Sequence, residues 1–372
     1  MPRHKREPGT LPRPLAILGG LGLAAATAVA IQLLPAGAAA PPLRTPPAVV
    51  EPSPSASPAV ATERPAPFVG FVDTARDPGF DLPAQSRRTG VRHYMLGHLI
   101  AGGDDGCSPK WAGPLETPQP DADRSVPLET SEPGTDQGDP LETPDQYTSR
   151  SDPLDPGKNP VANKIGRLRA LGGDAVPTFG GPGVEELAVT CTRPGGLAAA
   201  YRRVVGAFDA AAVDFEIRDS EDGAVALRRA RAIRAMRRER PLRVSFTLPL
   251  RPYGLDAADV AMLRTTHEAG AEVGTVNLLA AMQPRSAPHG RLRRLAAAIQ
   301  LAKDQIVRAQ DLPDPGQAWR RIALTPVLAG EGDLSELDAR TLAGYAARHG
   351  LAWLSLRGVP PSRDVTRILR GP

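Results

Sequence analysis

Eight apolar runs of strand length recur between residues 68 and 357, and they limit the possible folds more than any other feature of this chain. They begin at residues 68, 92, 174, 211, 243, 272, 321 and 351. Segments with helical periodicity separate several of them. Strands that alternate with helices over about 300 residues predict an α/β protein whose parallel strands close into a (β/α)8 TIM barrel.

Three of the intervening segments have helical patterns: 222–239, 255–268 and 291–308. In the first, Val225 and Ile233 share an apolar face, and most of the arginines lie on the other face. Arg229 is the exception to this pattern. These segments are expected to cover the outside of the barrel.

The N-terminal region is typical of a secreted or membrane-anchored protein. Residues 1–14 are basic, and residues 15–35 follow as an uncharged, apolar segment. A helix of about 20 such residues spans roughly 30 Å, the thickness of the hydrocarbon core of a bilayer. Its length favours an uncleaved anchor, whereas the small-residue sequence AGA at 36–38 favours a cleaved signal peptide. Both alternatives bring the chain to the cytoplasmic membrane and place the remainder outside the cytoplasm.

The next segment, residues 36–67, is expected to be a linker to a barrel over residues 68–372. It holds nine prolines between positions 41 and 67, a composition that gives an extended spacer and no core.

An acidic insert interrupts the barrel pattern at residues 112–157. It carries eleven acids against two arginines, and PLET or PLDP recurs with a 13-residue period from Pro114. This composition predicts a disordered segment after the second strand. Without the insert, the rest of the chain carries a charge of about +13.

Cys107 and Cys191 are the two cysteines, and they allow either one disulfide or two buried thiols. An oxidising compartment outside the cytoplasm favours the disulfide. Neither the cysteines nor the six histidines have metal-ligand spacing, so no metal is predicted, and no cofactor motif is present. The arginines of 222–239 lack interleaved aromatic residues, which favours a solvated helix face and no nucleic-acid partner.

The fourth run ends in the sequence VDFEIR, which has three charged residues at alternate positions. Because side chains alternate along a strand, Asp214, Glu216 and Arg218 are expected to point into the barrel. The C-terminal ends of barrel strands carry the catalytic groups of such enzymes. Buried charges require partners, so the three residues are expected to form one cluster in which Arg218 compensates at least one carboxylate.

Several long motifs resemble those of actinobacterial family-18 chitinases. DFEIRD at 214–219 resembles the DFDIEG segment of the family's fourth strand, and GCSPKWAG at 106–113 resembles its GC-x-PKWGG turn. IGRLRALGGDAVPTFGGPGVEELAVTC at 165–191 resembles the family's LR-x-GGDV-x-SFGG strand and the following helix with its Cys. The resemblance runs from about residue 68 to residue 364, apart from the acidic insert, and it implies the same barrel.

The resemblance also implies a chemistry whose groups this chain has replaced. In the family, a Glu at the end of strand four protonates the leaving oxygen, and the Asp two residues earlier holds the N-acetyl group of the substrate. Arg218 and Glu216 stand at these positions, Met282 and Gln283 replace an Asp-Tyr pair, and Arg357 replaces a Trp. The candidate substrate-contacting positions are therefore Thr178, Asn277, Gln283 and Arg357, while Asp214, Glu216 and Arg218 occupy the catalytic motif.

An arginine cannot act as the acid near neutral pH, because its pKa lies above about 12. The sequence therefore predicts an extracytoplasmic, chitinase-like protein that is non-catalytic and that binds an N-acetylated glycan or acts as a scaffold. Two alternatives remain open. One is a glycoside hydrolase on N-acetylglucosamine polymers with Glu216 or Asp219 as a rearranged acid, and the other is a structural cell-surface protein.

Overall fold

The computed structural model describes residues 66–113, 154, 159–218, 220–286 and 290–371. The strands are β1 (Val69–Asp73), β2 (His93–Ile100), β3 (Lys110–Trp111), β4 (Asp174–Gly180), β5 (Ala212–Glu216), β6 (Arg243–Leu250), β7 (Thr275–Ala281), β8 (Ile322–Leu328) and β9 (Arg357–Gly358). The α-helices are α1 (Leu82–Thr89), α2 (Pro160–Arg169), α3 (Leu187–Thr190), α4 (Gly196–Ala207), α5 (Gly223–Glu239), α6 (Ala257–Glu268), α7 (Arg291–Ala309), α8 (Pro315–Arg320), α9 (Glu336–His349) and α10 (Arg363–Arg370).

The strands form a barrel in which sequence neighbours are also neighbours in space. Their order is β1-β2-β4-β5-β6-β7-β8-β9, and every pairing along this path is parallel. The short β3 pairs antiparallel with β2 at its C-terminal end. Helices follow most of the strands and cover the outside, so the predicted (β/α)8 fold is confirmed.

The eighth strand is shorter than the apolar run at 351–357 predicts. β9 covers only Arg357–Gly358, and Leu354 forms single bridges with Phe68 and Leu324. The Val69 amide donates to the Leu354 carbonyl at 2.8 Å, and this contact lies near the start of β1. The barrel is therefore nearly closed, with a seam between the ends of β1 and β9.

A row of aromatic rings on the outer face fixes which side chains of β5 point inward. Phe179, Phe215 and Phe246 occupy neighbouring register positions on β4, β5 and β6. The Phe215 ring lies 5.1 Å from Phe179 and 5.7 Å from Phe246, and Tyr201 of α4 packs 5.1 Å from it. Because side chains alternate along a strand, the residues on either side of Phe215 turn into the barrel.

Helix α5 explains why one arginine departs from the predicted polar face. The helix begins after Asp222, whose carboxylate accepts from the Ala224 and Val225 amides. Arg229 lies on the buried face, where its Nη2 is 3.0 Å from a carboxylate oxygen of Glu186. A buried ion pair thus takes the place of an apolar contact.

The predicted disulfide between Cys107 and Cys191 is present and joins the loop after β2 to the end of α3. The expectations for residues 1–14, 15–35 and 36–65, and for most of the acidic insert, fall outside the described residues. Within the described ranges, no helix combines the length and apolar character needed to cross a bilayer.

Candidate functional site

A cavity of about 550 Å³ opens at the C-terminal ends of the strands and continues along β1 toward Arg370. Its size is within the usual range for small-molecule sites. The residues that carry its chemistry are Asp73, Arg76, His98, Glu216, Arg218 and Arg357. Of the candidate residues from the sequence, this cavity therefore brings together Glu216, Arg218 and Arg357.

Glu216 is the centre of the charged cluster. It is the last residue of β5, and its side chain is completely buried. Arg218 Nη2 lies 2.7 Å from Oε1, and His98 Nε2 lies 3.0 Å from Oε2. Arg357 Nη1 also donates to Oε2. One buried carboxylate therefore has two arginine partners and one histidine partner.

These partners decide the ionisation of Glu216. Burial alone would raise the pKa of its carboxyl, because it penalises the charged form. The positive charge of Arg357 and the hydrogen bonds from His98 and Arg357 outweigh that effect and hold the pKa well below its usual range. Glu216 is therefore a carboxylate at neutral pH, with its oxygens already occupied.

Arg357 is the more firmly held of the two arginines. Its guanidinium carbon lies 3.7 Å from the centre of the Phe71 ring, which gives a stacked cation–π contact. Only 10% of its side chain is exposed, against 39% for Arg218. Arg357 of β9 thus contacts Phe71 of β1 across the seam and Glu216 of β5 across the barrel mouth.

Asp214 belongs to a separate polar network inside the barrel. Ser245 Oγ and Thr247 Oγ1 donate to its carboxylate at 2.6 Å and 2.9 Å. Asn277 Nδ2 donates to Thr247 Oγ1 at 3.1 Å, and Thr325 Oγ1 donates to Asn277 Oδ1 at 2.8 Å. This network links β5, β6, β7 and β8, and its members are buried away from the cavity.

The pKa of Asp214 is raised to about 6. Burial is the main cause, and repulsion by the Glu216 carboxylate adds to it. The hydrogen bonds from Ser245 and Thr247 and the charge of Arg357 oppose the shift without cancelling it. Asp214 therefore titrates close to neutral pH, although it lies behind the cavity wall.

The remaining substrate-contacting candidates do not line the cavity. Thr178 and Asn277 are completely buried. Gln283 is exposed and lines a different cleft of about 180 Å³, where its Oε1 accepts from Arg294 Nη2 at 2.6 Å. Gln283 and Arg357 therefore line different clefts in the structure. Substrate contact by Gln283 stays a prediction.

The sequence did not single out His98 as a site residue, and it did not predict that Arg357 pairs with Glu216. His98 is a buried histidine whose partner is Glu216. The pair between Arg357 and Glu216 spans 141 residues. Barrel topology is the signal that points to this proximity, because the C-terminal ends of all strands surround one mouth, across which side chains from opposite strands can meet.

A carboxylate other than Glu216 also lines the cavity. Asp73 ends β1, and its Oδ1 accepts from the amides of Ala75 at 3.1 Å and Arg76 at 3.4 Å. The Arg76 side chain lies 3.5 Å from it. Asp73 therefore stabilises the turn after β1. No group of three or more His, Cys, Asp or Glu in the described part of the chain is arranged to hold a metal ion.

The nearly closed parallel barrel is a family-18 chitinase-like fold. The catalytic domain of a hyperthermophilic chitinase from Pyrococcus furiosus is similar over 82% of this chain and 94% of its own length. The sequence identity is 22% and the TM-score is 0.62. Catalytic-site mutants of active domain 2 of the Pyrococcus furiosus chitinase, solved with chito-oligosaccharides, give the same values.

A family-18 chitinase from Pseudoalteromonas aurantia is more distant, with 11% identity, a TM-score of 0.46, and coverage of 79% of this chain and 94% of its own. No protein-family model matches the chain, and no curated protein matches it. The expectation of a family-18 chitinase-like barrel is confirmed at the level of the fold.

Proposed function

We propose that this protein binds a glycan at the mouth of the barrel without hydrolysing it. The observation that carries this proposal is the state of Glu216, which is buried and paired with both Arg218 and Arg357. Glycoside hydrolysis needs a protonated acid beside the leaving oxygen. Glu216 holds no proton at neutral pH, and the arginine at position 218 cannot release one.

The other carboxyls of the described site do not replace the missing acid. The pKa of Asp214 is about 6. Its carboxylate accepts hydrogen bonds from Ser245 and Thr247, however, and it does not line the cavity. Asp73 caps the turn after β1. Asp219, the other candidate for a rearranged acid, lies outside the described residues.

Two observations support glycan binding. The cavity is large enough for a small saccharide, and a chitinase domain of the same fold has been solved with chito-oligosaccharides. The arginine that replaces the family's Trp covers Phe71, so this ring is not free to stack on a sugar. Affinity is therefore expected to be modest, because a major stacking contact is missing.

The N-terminal sequence supports an extracytoplasmic location for this function. The apolar segment at 15–35 would act as an anchor or signal, and the Pro-rich linker at 36–67 would hold the barrel away from the membrane. N-terminal sequencing of the mature protein from fractionated cells would decide between anchor and signal.

Calorimetric titration with chitotetraose tests the binding. Saturable binding is expected, and Arg218→Ala should weaken it because Arg218 lines the cavity and is accessible. Arg264→Ala is the matched control, since Arg264 is exposed on α6 and does not line this cavity. A titration without binding, or one that Arg218→Ala leaves unchanged, would contradict the proposal and favour a structural role.

A further inference from the structure

The cavity carries an excess of positive charge. Two carboxylates, Asp73 and Glu216, line its described wall, against five arginines at positions 76, 88, 218, 357 and 370. Arg76 compensates Asp73 at the turn after β1. At the base of the cavity, Glu216 faces two arginines, so the trio of charged side chains that line this base carries a net charge of +1. Asp214 does not line the cavity, and its carboxylate is bonded to Ser245 and Thr247.

Arg357 also has an unused donor. Its Nη1 is bonded to Glu216, and its guanidinium plane is covered by Phe71. Its Nη2 is buried and has no hydrogen-bond acceptor among the described residues. A buried guanidinium nitrogen without an acceptor is costly, because it has lost its hydration and gained no partner. An acceptor on a ligand would remove this cost.

A neutral saccharide does not satisfy such a site well. Hydroxyl and amide oxygens can accept from a guanidinium group, but they leave the +1 charge uncompensated in a partly dehydrated pocket. A single carboxylate matches the fork of N–H groups and neutralises the trio.

We infer that the glycan bound here carries a carboxylate, which pairs with Arg218 and Arg357 at the base of the cavity. This inference rests on the proposed glycan-binding function and adds the class of the ligand. The sugar ring occupies the mouth of the barrel, and the acidic substituent points toward the two arginines. Charge is thus the main determinant of which oligosaccharide binds.

The test compares two tetrasaccharides that differ in charge. One is chitotetraose, and the other alternates N-acetylglucosamine with N-acetylmuramic acid, which is the same ring with a lactyl ether that bears a carboxylate. Calorimetric titration at pH 7 and low salt is expected to show at least tenfold tighter binding of the acidic oligosaccharide. Raising the salt concentration should reduce this preference.

Variants of the trio should move the preference in opposite directions. Arg218→Gln should lower the affinity for the acidic oligosaccharide by about tenfold, a typical effect for loss of one charge-assisted contact. Glu216→Gln should raise that affinity, because it frees both arginines. Arg264→Gln removes the same charge from an exposed site on α6 and should change neither affinity.

Arg357→Gln should also abolish the preference, provided that it folds. The double variant Glu216→Gln with Arg357→Gln leaves no unpaired carboxylate in the trio and gives a second way to remove this arginine. Circular dichroism and thermal unfolding identify which of these variants are folded before they are titrated. The preference of the unmodified protein for the acidic oligosaccharide over chitotetraose is measured directly, so it does not depend on whether these variants fold.

The possible outcomes separate the two proposals. Equal affinity for both oligosaccharides would overturn the carboxylate inference and leave glycan binding intact. Binding of neither would overturn the proposed function and this inference together. Arg218-dependent binding of lactate alone, without binding of either oligosaccharide, would show an anion site that is not a glycan site, and would also overturn both.

Discussion

The two arginines on Glu216 come from different parts of the barrel and are held differently. Arg218 follows β5 directly and keeps 39% of its side chain exposed. Arg357 comes from β9, lies on Phe71 and keeps 10% exposed. An exposed partner is screened by water, whereas a buried partner is not. The two residues should therefore contribute unequally to the stability of the folded protein.

Arg357→Gln is expected to lower the free energy of unfolding by about 3–5 kcal/mol, because it leaves a buried carboxylate without its less hydrated partner. Arg218→Gln is expected to cost about 1 kcal/mol, since Glu216 then keeps Arg357 and His98. Urea unfolding at pH 7 measures both. The double variant Glu216→Gln with Arg357→Gln should cost less than Arg357→Gln alone, and equal losses for the two single variants would contradict this account.

Asp214 makes stability depend on pH in the opposite direction to most carboxyls. Its pKa is about 6 in the folded protein against a usual 3.8, so the folded state binds this proton more tightly than the unfolded state. The contribution of Asp214 to the free energy of unfolding therefore falls as the pH rises from about 4 to 6, by roughly 3 kcal/mol in total. The main cause of the raised pKa is the burial of the Asp214 carboxylate inside the barrel.

Asp214→Asn removes this dependence. The stability of the variant relative to the unmodified protein should improve by up to about 3 kcal/mol between pH 4 and pH 7. Urea unfolding at both values measures the difference, and contributions from Glu216 are largely shared by the two proteins. Asp77→Asn, at an exposed position, is the control and should show no such trend. A constant difference for Asp214→Asn across this range would refute the assignment.

At the scale of elements, the disulfide fastens the loop after β2 to the end of α3. Its two cysteines are separated by 84 positions. In the chain-entropy model, a crosslink that closes a loop of this length stabilises the folded state by about 4 kcal/mol. It also holds in place the segment from which the acidic insert departs.

The variant Cys107→Ser with Cys191→Ser should therefore lose about 4 kcal/mol of stability. A reducing agent should lower the stability of the unmodified protein by a similar amount and leave the variant unchanged. Unfolding curves with and without reductant give both values. Two free thiols in protein taken from its native compartment would show that the bond does not form there.

The strands and helices were largely predictable because each has a periodic pattern of its own. The runs at 92 and 243 became β2 and β6 within a few residues, and segment 222–239 became α5. The last run was the least accurate, because its pattern reports burial and carries no information on which backbone groups pair at the seam. For that reason, the observed strand β9 has only two residues.

The site was only partly predictable. The pair of Glu216 and Arg218 could be expected, because alternation along the predicted strand places both on one face, and the pair forms although β5 ends at Glu216. The contacts of Arg357 and His98 with Glu216 depend on tertiary closure and have no local signature. Gln283 was assigned by resemblance alone, and its actual position depends on how α7 begins.

At the scale of the whole molecule, charge is distributed unevenly. The acidic insert and the remaining chain have opposite net charges, about −9 and +13, and the cavity belongs to the positive part. The anchor or signal, the linker and the disorder of the insert stay predictions. At the barrel mouth, two arginines hold the buried carboxylate of Glu216, and we propose that this site does not hydrolyse glycans.

Product release from chitotetraose tests that claim most directly. Mass spectrometry after long incubation at pH 5 and pH 7 should show intact tetrasaccharide with the unmodified protein and with Glu216→Gln, at the level of the buffer blank. An active chitinase in parallel confirms that the assay detects cleavage. If the unmodified protein releases shorter oligosaccharides and Glu216→Gln abolishes that release, Glu216 is a working catalytic residue and the account is wrong.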